Sequence, residues 1–375
     1  MSRRAAFAVF LSLSVRTLAF PVAPGTAAPS ETCGGCHVDI YRMWKGSAHS
    51  RSLEDMAFLG ALRETEARDG AAGARVCLEC HAPLAGLTGD LALRNKTSWE
   101  GVSCEVCHGI RSVELTPAGP RARVEIGPVK LGPIRDAVST GHEVAYSQLH
   151  TDVLICAACH EYVNPEGVAL MSTYSEWKES PAGKAGRTCQ TCHMAVTEAD
   201  VVDPKIKRVA DAVNTHEIPG GHSLDQLYKA LSVGIAPRRE KGGVVVDVTL
   251  TNKGAGHAVP TGMPGRRVIL EAWADAGQAD APRAQRVYAR EFRGPDGKVI
   301  EGGSGYFTKG VRPGEDTRLK AGERRKEVFH FAVPEGSAAT VHVKLSYEHF
   351  PREGPEDRTS LTFVHEIRTV PPAGS

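Results

Sequence analysis

The chain has 375 residues, enough for two or three domains. Its 45 Lys and Arg residues nearly balance 44 Asp and Glu residues, so the formal net charge is +1 and no basic excess favours a nucleic acid as partner. All ten cysteines lie in CxxCH motifs, which leaves none for a separate disulfide framework.

The first 28 residues have the pattern of a secretory signal peptide. Arg3 and Arg4 precede an apolar run over 5–15, and small residues at 26–28 offer a cleavage site. The apolar run is shorter than the roughly 20 residues that a membrane span requires. We therefore predict cleavage and export to the periplasm or to the cell exterior.

Five copies of CxxCH are the strongest functional signal. The motif is typical of c-type haem attachment, in which two thiols add to the haem vinyl groups and the histidine becomes the proximal iron ligand. Zinc sites also use CxxC pairs, but they do not need a histidine at the next position every time. The sequence predicts five covalent haem c groups on Cys33 and Cys36, Cys77 and Cys80, Cys104 and Cys107, Cys156 and Cys159, and Cys189 and Cys192, with the proximal ligands His37, His81, His108, His160 and His193.

Short helices and long connections are predicted between the motifs. Residues 84–98 are expected to form a loop, and 111–140, with four prolines, a hairpin or an extended excursion. Little continuous secondary structure is needed here, because porphyrins would fill much of the interior. The predicted helices cover 38–50, 53–68, 144–160 and a segment that begins near Tyr174.

Ten histidines lie outside the motifs, and five of them precede residue 225, where the composition changes. Five irons and five spare histidines favour bis-His coordination, although the count assigns no histidine to a particular haem. The glycines before His222 permit close approach to a haem face. The predicted distal ligands are His49, His142, His150, His216 and His222.

His257 is an alternative ligand that the sequence leaves open. It lies in the glycine-rich loop 254–262, after a predicted strand. Such a loop could reach across a domain boundary and supply an axial ligand. It could equally be a structural turn whose imidazole bonds to the backbone, and the sequence slightly favours this second interpretation.

From about Leu231 onward, apolar residues alternate with a period of two. Seven or so short segments separated by turns predict an antiparallel β-sandwich of the immunoglobulin-like kind. The alternation directs His330 and His342 to solvent and His365 to the core, and it leaves His349 in a loop. The predicted organisation is a signal peptide over 1–28, a mainly α, loop-rich pentahaem domain over 29–225 and a β-sandwich domain over 226–375.

Three stretches between residues 31 and 225 carry a resemblance to a known family. They are Cys33–His37 followed by Ile40, Tyr41, Trp44 and Ser47–His49, then Trp99–Cys104, and then Tyr174–Pro181 before Cys189. They resemble multihaem cytochromes related to cytochrome c-554, the tetrahaem electron carrier of ammonia-oxidising bacteria. The resemblance implies that His49 is an axial ligand, that haems pack in close pairs and that the activity is electron transfer. Related members are oxidoreductases on small nitrogen or sulfur compounds, and this chain departs from the pattern by a fifth haem and an added β-domain.

Three functions are compatible with these features. One is an electron carrier, another is an oxidoreductase with an open axial position at one haem, and a third is a subunit that stacks haems into a filament. The supply of spare histidines favours the carrier over the enzyme, and no catalytic residue is assigned. The expected partners are redox proteins, either other cytochromes or a quinol-linked membrane complex, and homo-oligomerisation is left open.

Overall fold

The computed structural model describes residues 27–203, 205, 212–277, 280–349 and 360–374. Residues 1–26 of the predicted signal peptide lie outside these ranges. The described chain has a motif region, residues 27–230, which contains every CxxCH motif. A β-region, residues 231–374, follows it.

Each CxxCH motif lies on a helix or at the end of one. A single helical turn therefore presents both thiols of a motif to the same side. The described helices are α1 (Ser30–Gly34), α2 (Val38–Lys45), α3 (Met56–His81), α4 (Pro83–Thr88), α5 (Cys104–Cys107), α6 (Leu154–His160), α7 (Thr173–Glu179), α8 (Pro181–Lys184), α9 (Cys189–His193) and α10 (Leu224–Ala230), with 3-10 turns at Lys96–Glu100, Gln148–Thr151 and Gly303–Phe307.

Helix α3 is longer than the sequence predicted. A helix was expected over 53–68, followed by a loosened segment, but α3 continues into the second motif. Asp55 caps its first turn by accepting two backbone hydrogen bonds of 2.8 and 3.3 Å. The glycine-rich segment stays helical apart from a kink at Gly70, whose φ of 67° suits a residue without a side chain.

Three other local predictions in the motif region were wrong. Helix α2 ends at Lys45, so His49 lies in the turns that follow rather than on the helix. The expected loop over 84–98 includes α4 and the start of a 3-10 turn. The expected helix over 144–160 is divided into a short strand, a 3-10 turn and α6.

Four small two-stranded sheets complete the motif region. The second pair in chain order is parallel and the other three pairs are antiparallel. The first pair is a hairpin, in agreement with the excursion predicted over 111–140. The strands are β1 (Ile110–Thr116) with β2 (Gly119–Val124), β3 (Val129–Gly132) with β4 (Glu143–Tyr146), β5 (Glu161–Val163) with β6 (Ala169–Ser172), and β7 (Val196–Glu198) with β8 (Ala212–Asn214).

The β-region consists of two antiparallel sheets that share one core. Its strands are β9 (Leu231–Glu240), β10 (Gly243–Asn252), β11 (Arg267–Asp275), β12 (Ala284–Arg293), β13 (Arg312–Asp316), β14 (Arg324–Ala332), β15 (Ala339–Glu348) and β16 (Ser360–Val370). The sheet orders are β14–β10–β9 and β13–β12–β11–β15–β16. Val246 of one sheet and Leu270 of the other are fully buried in the same cluster. The predicted helical region followed by antiparallel sheets is confirmed.

Strand β16 corrects the prediction for His365. Its register against β15 shifts at Phe363, which lacks a ladder partner while Val364 pairs with Leu345. A one-residue bulge changes the face of every residue beyond it. Phe363 is therefore buried, and His365 is exposed rather than in the core.

Candidate haem-binding site

Contacts between thiols of different motifs join the motifs into two groups. The first motif lies next to the third, and the fourth lies next to both the second and the fifth. Because these thiols are the attachment points for haem, neighbouring motifs would hold their haems close to one another. The thiol pairs within hydrogen-bonding reach are Cys33 with Cys104, Cys80 with Cys159, and Cys156 with Cys189.

Four of the five motif histidines face a second histidine at a similar distance. Two imidazoles on opposite sides of one iron hold their ring centroids about 6 Å apart, because each nitrogen–metal bond is about 2 Å long. The observed spacing therefore suits one iron between each pair. The centroid distances are 6.0 Å for His37 and His142, 5.5 Å for His108 and His150, 6.1 Å for His160 and His49, and 6.3 Å for His193 and His257.

Six histidines share a hydrogen bond from Nδ1 to a backbone carbonyl. A proton held on Nδ1 leaves the lone pair on Nε2 free, and metal-ligating histidines almost always have such an outer partner. Three of the six are motif histidines and three are not. The bonds, between 2.6 and 3.0 Å long, are made by His37, His108, His142, His193, His216 and His257.

The loop after β10 carries His257 into the motif region. The Ala258 N–H donates to the Glu176 carboxylate on α7 at 3.1 Å. A side chain at Gly256 would come within 2.9 Å of Ala182 on α8, so this close approach requires glycine. The sequence did not favour His257 as a ligand, yet the structure places it beside the fifth motif.

Glu176 also joins the two regions through an ion pair. Its carboxylate lies 2.7 Å from the Arg318 guanidinium and accepts a 2.8 Å hydrogen bond from the Thr261 hydroxyl. Arg318 is 9% exposed and also pairs with Asp316 at 2.8 Å. Removing either charge would leave its partner poorly solvated, so this network fixes the His257 loop against α7.

Two predicted ligands lie at the third motif. The His150 ring stands opposite His108, but its Nε2 donates to the Cys107 carbonyl at 3.1 Å. Among the residues that the structure describes, its buried Nδ1 has no partner. His216 has the Nδ1–carbonyl bond of a ligand, and its pKa is lowered by burial and by the nearby His108.

His81 of the second motif differs from the other four proximal candidates. Its ring stacks on Phe58, with centroids 3.9 Å apart and 13° between the planes. Within the described ranges no histidine ring contacts it, and its buried Nδ1 has no hydrogen-bond partner. The second motif thus lacks the facing histidine that the others have.

The predicted ligand His222 does not face a motif histidine. Its ring lies 5.8 Å from that of His349, which in turn lies 4.9 Å from the Tyr347 ring. His349 was not predicted as a site residue, because it follows the last residue of a strand and has no motif around it. The sequence signal that could have identified His349 is its two-residue spacing from Tyr347, which places both residues on one face of the sheet.

Burial favours the neutral form of three site histidines. It lowers the pKa of His81 and His150 to about 4 and that of His160 to about 3. A neutral imidazole has the lone pair that a metal requires. Paired thiols followed at once by an imidazole fit c-type haem. In the described part of the chain, no cluster of three or more His, Cys, Asp or Glu side chains is arranged for a bare metal ion.

The fold and the candidate site are similar to those of multihaem c-type cytochromes. Residues 32–109 match the family described as cytochrome c554 and c-prime. The fold is similar to that of a penta-heme cytochrome c552 from Thermochromatium tepidum, with 22% identity, a TM-score of 0.71, and coverage of 92% of this chain and 99% of that one. These findings support a multihaem c-type cytochrome, and the predicted resemblance is confirmed.

Other comparisons add nothing to this assignment. An ApaA protein from Bordetella pertussis, 13% identical over 39% of this chain and 95% of that one, has a TM-score of 0.21, which is too low to indicate a common fold. A search of curated proteins found no match. No helix in the described ranges is long and apolar enough to cross a membrane.

Proposed function

We propose that this protein is an exported cytochrome with five covalent haem c groups that transfers electrons between redox partner proteins. The observation that carries the proposal is the facing histidine at four of the five motifs. When bound, each haem iron supplies one-electron redox chemistry whose potential depends on axial ligands and burial. Where a backbone carbonyl accepts from Nδ1, the hydrogen bond would hold the imidazole ligand in a defined orientation.

The distal ligands in this proposal come from both regions. His142 serves the first motif, His49 the fourth and His257 the fifth, while His150 or His216 serves the third. The β-region, which we propose to be a β-sandwich, thereby contributes a ligand as well as covering the motif region. This arrangement differs from the sequence prediction, which drew every distal ligand from residues before 225.

The contacts between thiols order the motifs for electron transfer. They place the second beside the fourth and the fourth beside the fifth. The hydrogen bond with Cys189, burial and the nearby Cys107 raise the pKa of Cys156, and the influence of Cys107 links the third motif to the fourth. The order is therefore first, third, fourth and fifth, with the second as a branch. Cys36 and Cys192, at the two ends, are exposed. A partner protein would gain access at these ends.

A second candidate function is that of an oxidoreductase acting at the second motif. The observation that favours it is the absence, among the described residues, of a histidine facing His81. An iron with one protein ligand keeps a position for a small nitrogen or sulfur compound. The four paired motifs would then serve to deliver or remove electrons.

The spin state of the oxidised holoprotein distinguishes the two functions. A pure carrier has only low-spin irons, and its absorption spectrum does not respond to nitrite, hydroxylamine or sulfite. A high-spin fraction that shifts on addition of one of these compounds would support the oxidoreductase. Replacing His257 with Ala should make one further iron high-spin, whereas the exposed His330→Ala control should not; an unchanged spectrum in His257→Ala would overturn the ligand assignment.

A further inference from the structure

The outer face of the five-stranded sheet carries two histidines on neighbouring strands. The β11–β15 ladder pairs Trp273 with His342, and the β15–β16 ladder pairs Lys344 with His365. Residues opposed in a ladder share a face, and so do residues two apart on one strand. His342 and His365 therefore lie on one face, diagonally across the two strands. Asp275, two residues after Trp273, belongs to the same face.

The bulge at Phe363 turns His365 toward His342. With the register of the residues that precede the bulge, His365 would oppose Val343, which is buried in the core. After the one-residue shift it opposes Lys344 on the outer face instead. The two imidazoles are therefore brought together by the pairing of the strands and not by a local pattern.

Each imidazole approaches the other through one ring nitrogen. His342 Nδ1 lies 3.4 Å from His365 Nε2, and the ring centroids are 5.6 Å apart. Hydrogen bonds from N–H groups are usually shorter, about 2.7–3.2 Å to an oxygen acceptor. Two nitrogens bound at about 2.0–2.1 Å to one tetrahedral metal ion lie about 3.3–3.4 Å apart. The observed separation therefore suits a metal ion shared by the two rings better than a hydrogen bond between them.

Asp275 determines which nitrogen of His342 can bind a metal. His342 Nε2 donates to the Asp275 carboxylate at 3.1 Å, since an ionised carboxylate can only accept. A neutral imidazole has one N–H group, so its lone pair lies on Nδ1, the atom that faces His365. Metal-ligating histidines almost always have such an outer partner. Asp275 thus supports the pair without being a third ligand, in agreement with the lack of a three-residue metal cluster among the described residues.

Packing fixes one of the two rings and leaves the other accessible. The His342 ring stacks on Trp273, with centroids 4.6 Å apart and 3° between the planes. The Arg283 guanidinium lies 4.4 Å from the centroid of the same Trp273 ring. The His342 side chain is 17% exposed, whereas His365 is exposed. A metal ion from solvent would therefore meet one imidazole that is already in position.

The charges beside the two histidines are compatible with a cation. Lys344 opposes His365, but its ammonium lies 3.0 Å from the Glu271 carboxylate. Asp275 adds a negative charge next to His342. The lysine charge is therefore offset, and the aspartate would stabilise an added positive charge.

We propose that His342 and His365 together bind a divalent transition metal ion, such as Zn²⁺ or Cu²⁺, on the outer face of the β-region. Imidazole nitrogen is a ligand that suits both ions, and Cu²⁺ should bind more tightly than Zn²⁺. Water would complete the coordination at the remaining positions. This site is separate from the CxxCH motifs, so it does not depend on the proposed haem ligands or on electron transfer.

Calorimetric titration of the oxidised holoprotein with Zn²⁺ tests the site without redox chemistry at the added metal. His342→Ala and His365→Ala should each weaken Zn²⁺ binding by about tenfold or more, because each removes one of the two protein ligands. His365 is exposed, so its variant guards against a folding defect in the other. His330→Ala, at another exposed histidine of the β-region, should stay within about twofold of the native protein.

Paramagnetic resonance of added Cu²⁺ identifies the ligands directly. The native protein should show coupling to two nitrogens and His365→Ala to one. Asp275→Asn should keep two coupled nitrogens while weakening the affinity by about tenfold, because it changes only the outer partner. Equal Zn²⁺ binding by the native protein, His342→Ala and His365→Ala would overturn the proposal, and so would a native Cu²⁺ signal with fewer than two coupled nitrogens.

Discussion

The two regions of this protein are held together by different means. One cluster of 22 buried residues, all but Leu227 from the β-region, forms a core shared by both sheets. The buried apolar residues of the motif region instead form clusters of six and three, and Leu170 joins a cluster of four with β-region residues. Its helices other than α3 are short, and its sheets have two strands each. The β-region is therefore stabilised by its own side chains, whereas the motif region depends on its cofactors for an apolar interior.

Loss of haem attachment should have the largest effect on stability, and the effect should be confined to the motif region. Replacing all ten motif cysteines with Ser should unfold the motif region, because its small clusters bury too little apolar surface, and should leave the β-region folded. Hydrogen exchange followed by mass spectrometry would show rapid exchange in α3 and slow exchange in β10 and β15. Protection of α3 equal to that in the holoprotein would contradict the account.

A core substitution in the β-region should destabilise the β-region and leave the motif region intact. Leu270→Ala removes a fully buried side chain between the sheets and should lower the free energy of unfolding by about 2–5 kcal/mol. The haem absorption spectrum should stay unchanged. Urea unfolding followed by circular dichroism measures the loss, and Val287→Ala, at a position that is 39% exposed, is the control. An equal effect of both variants would show that the common core is not what stabilises this region.

The ion pair of Glu176 with Arg318 should stabilise the contact between the two regions. Glu176→Gln removes the charge that faces Arg318 and should cost about 2 kcal/mol, because both side chains are largely buried. It should also release the His257 loop and raise the high-spin fraction. The exposed pair of Lys229 and Asp225 is the matched control, and Asp225→Asn should cost less than about 0.5 kcal/mol. If the high-spin fraction of Glu176→Gln equals that of the native protein, the loop is held by other contacts.

The smallest expected effect is a dependence on pH. Burial alone would raise the pKa of Asp316, but the hydrogen bond and charge of Arg318 outweigh it and lower the pKa. A lowered pKa contributes stability above the ordinary value of about 3.9, and this contribution is lost as the pH falls through the folded-state value. Asp316 is 41% exposed, so its contribution should be below about 1 kcal/mol.

Unfolding of the native holoprotein and of Asp316→Asn, measured between about pH 3 and pH 6, tests this expectation. The native protein should be the more stable at pH 6, and the difference should shrink toward the acidic end. A difference that grows as the pH falls would contradict the assigned direction of the pKa shift.

Local chemistry explains what could be predicted from the sequence. Thiol spacing in CxxCH is a property of one helical turn, and the period of two over β10 and β15 is a property of one strand. The face of His365 was mispredicted because the bulge at Phe363 arises only when β16 pairs with β15. The neighbours of His257 and His349 depend on contacts between regions far apart in sequence, and no local pattern encodes such contacts.

Electron paramagnetic resonance of the oxidised holoprotein, quantified against its haem content, tests the central claim most directly. The proposed arrangement predicts five haems with low-spin irons at the first, third, fourth and fifth motifs, and the spin state of the second iron separates the carrier from the oxidoreductase. Five low-spin signals would mean that a histidine such as His222 or His349 reaches the second iron. Two or more high-spin signals would mean that the facing histidines are not ligands, and would contradict the account.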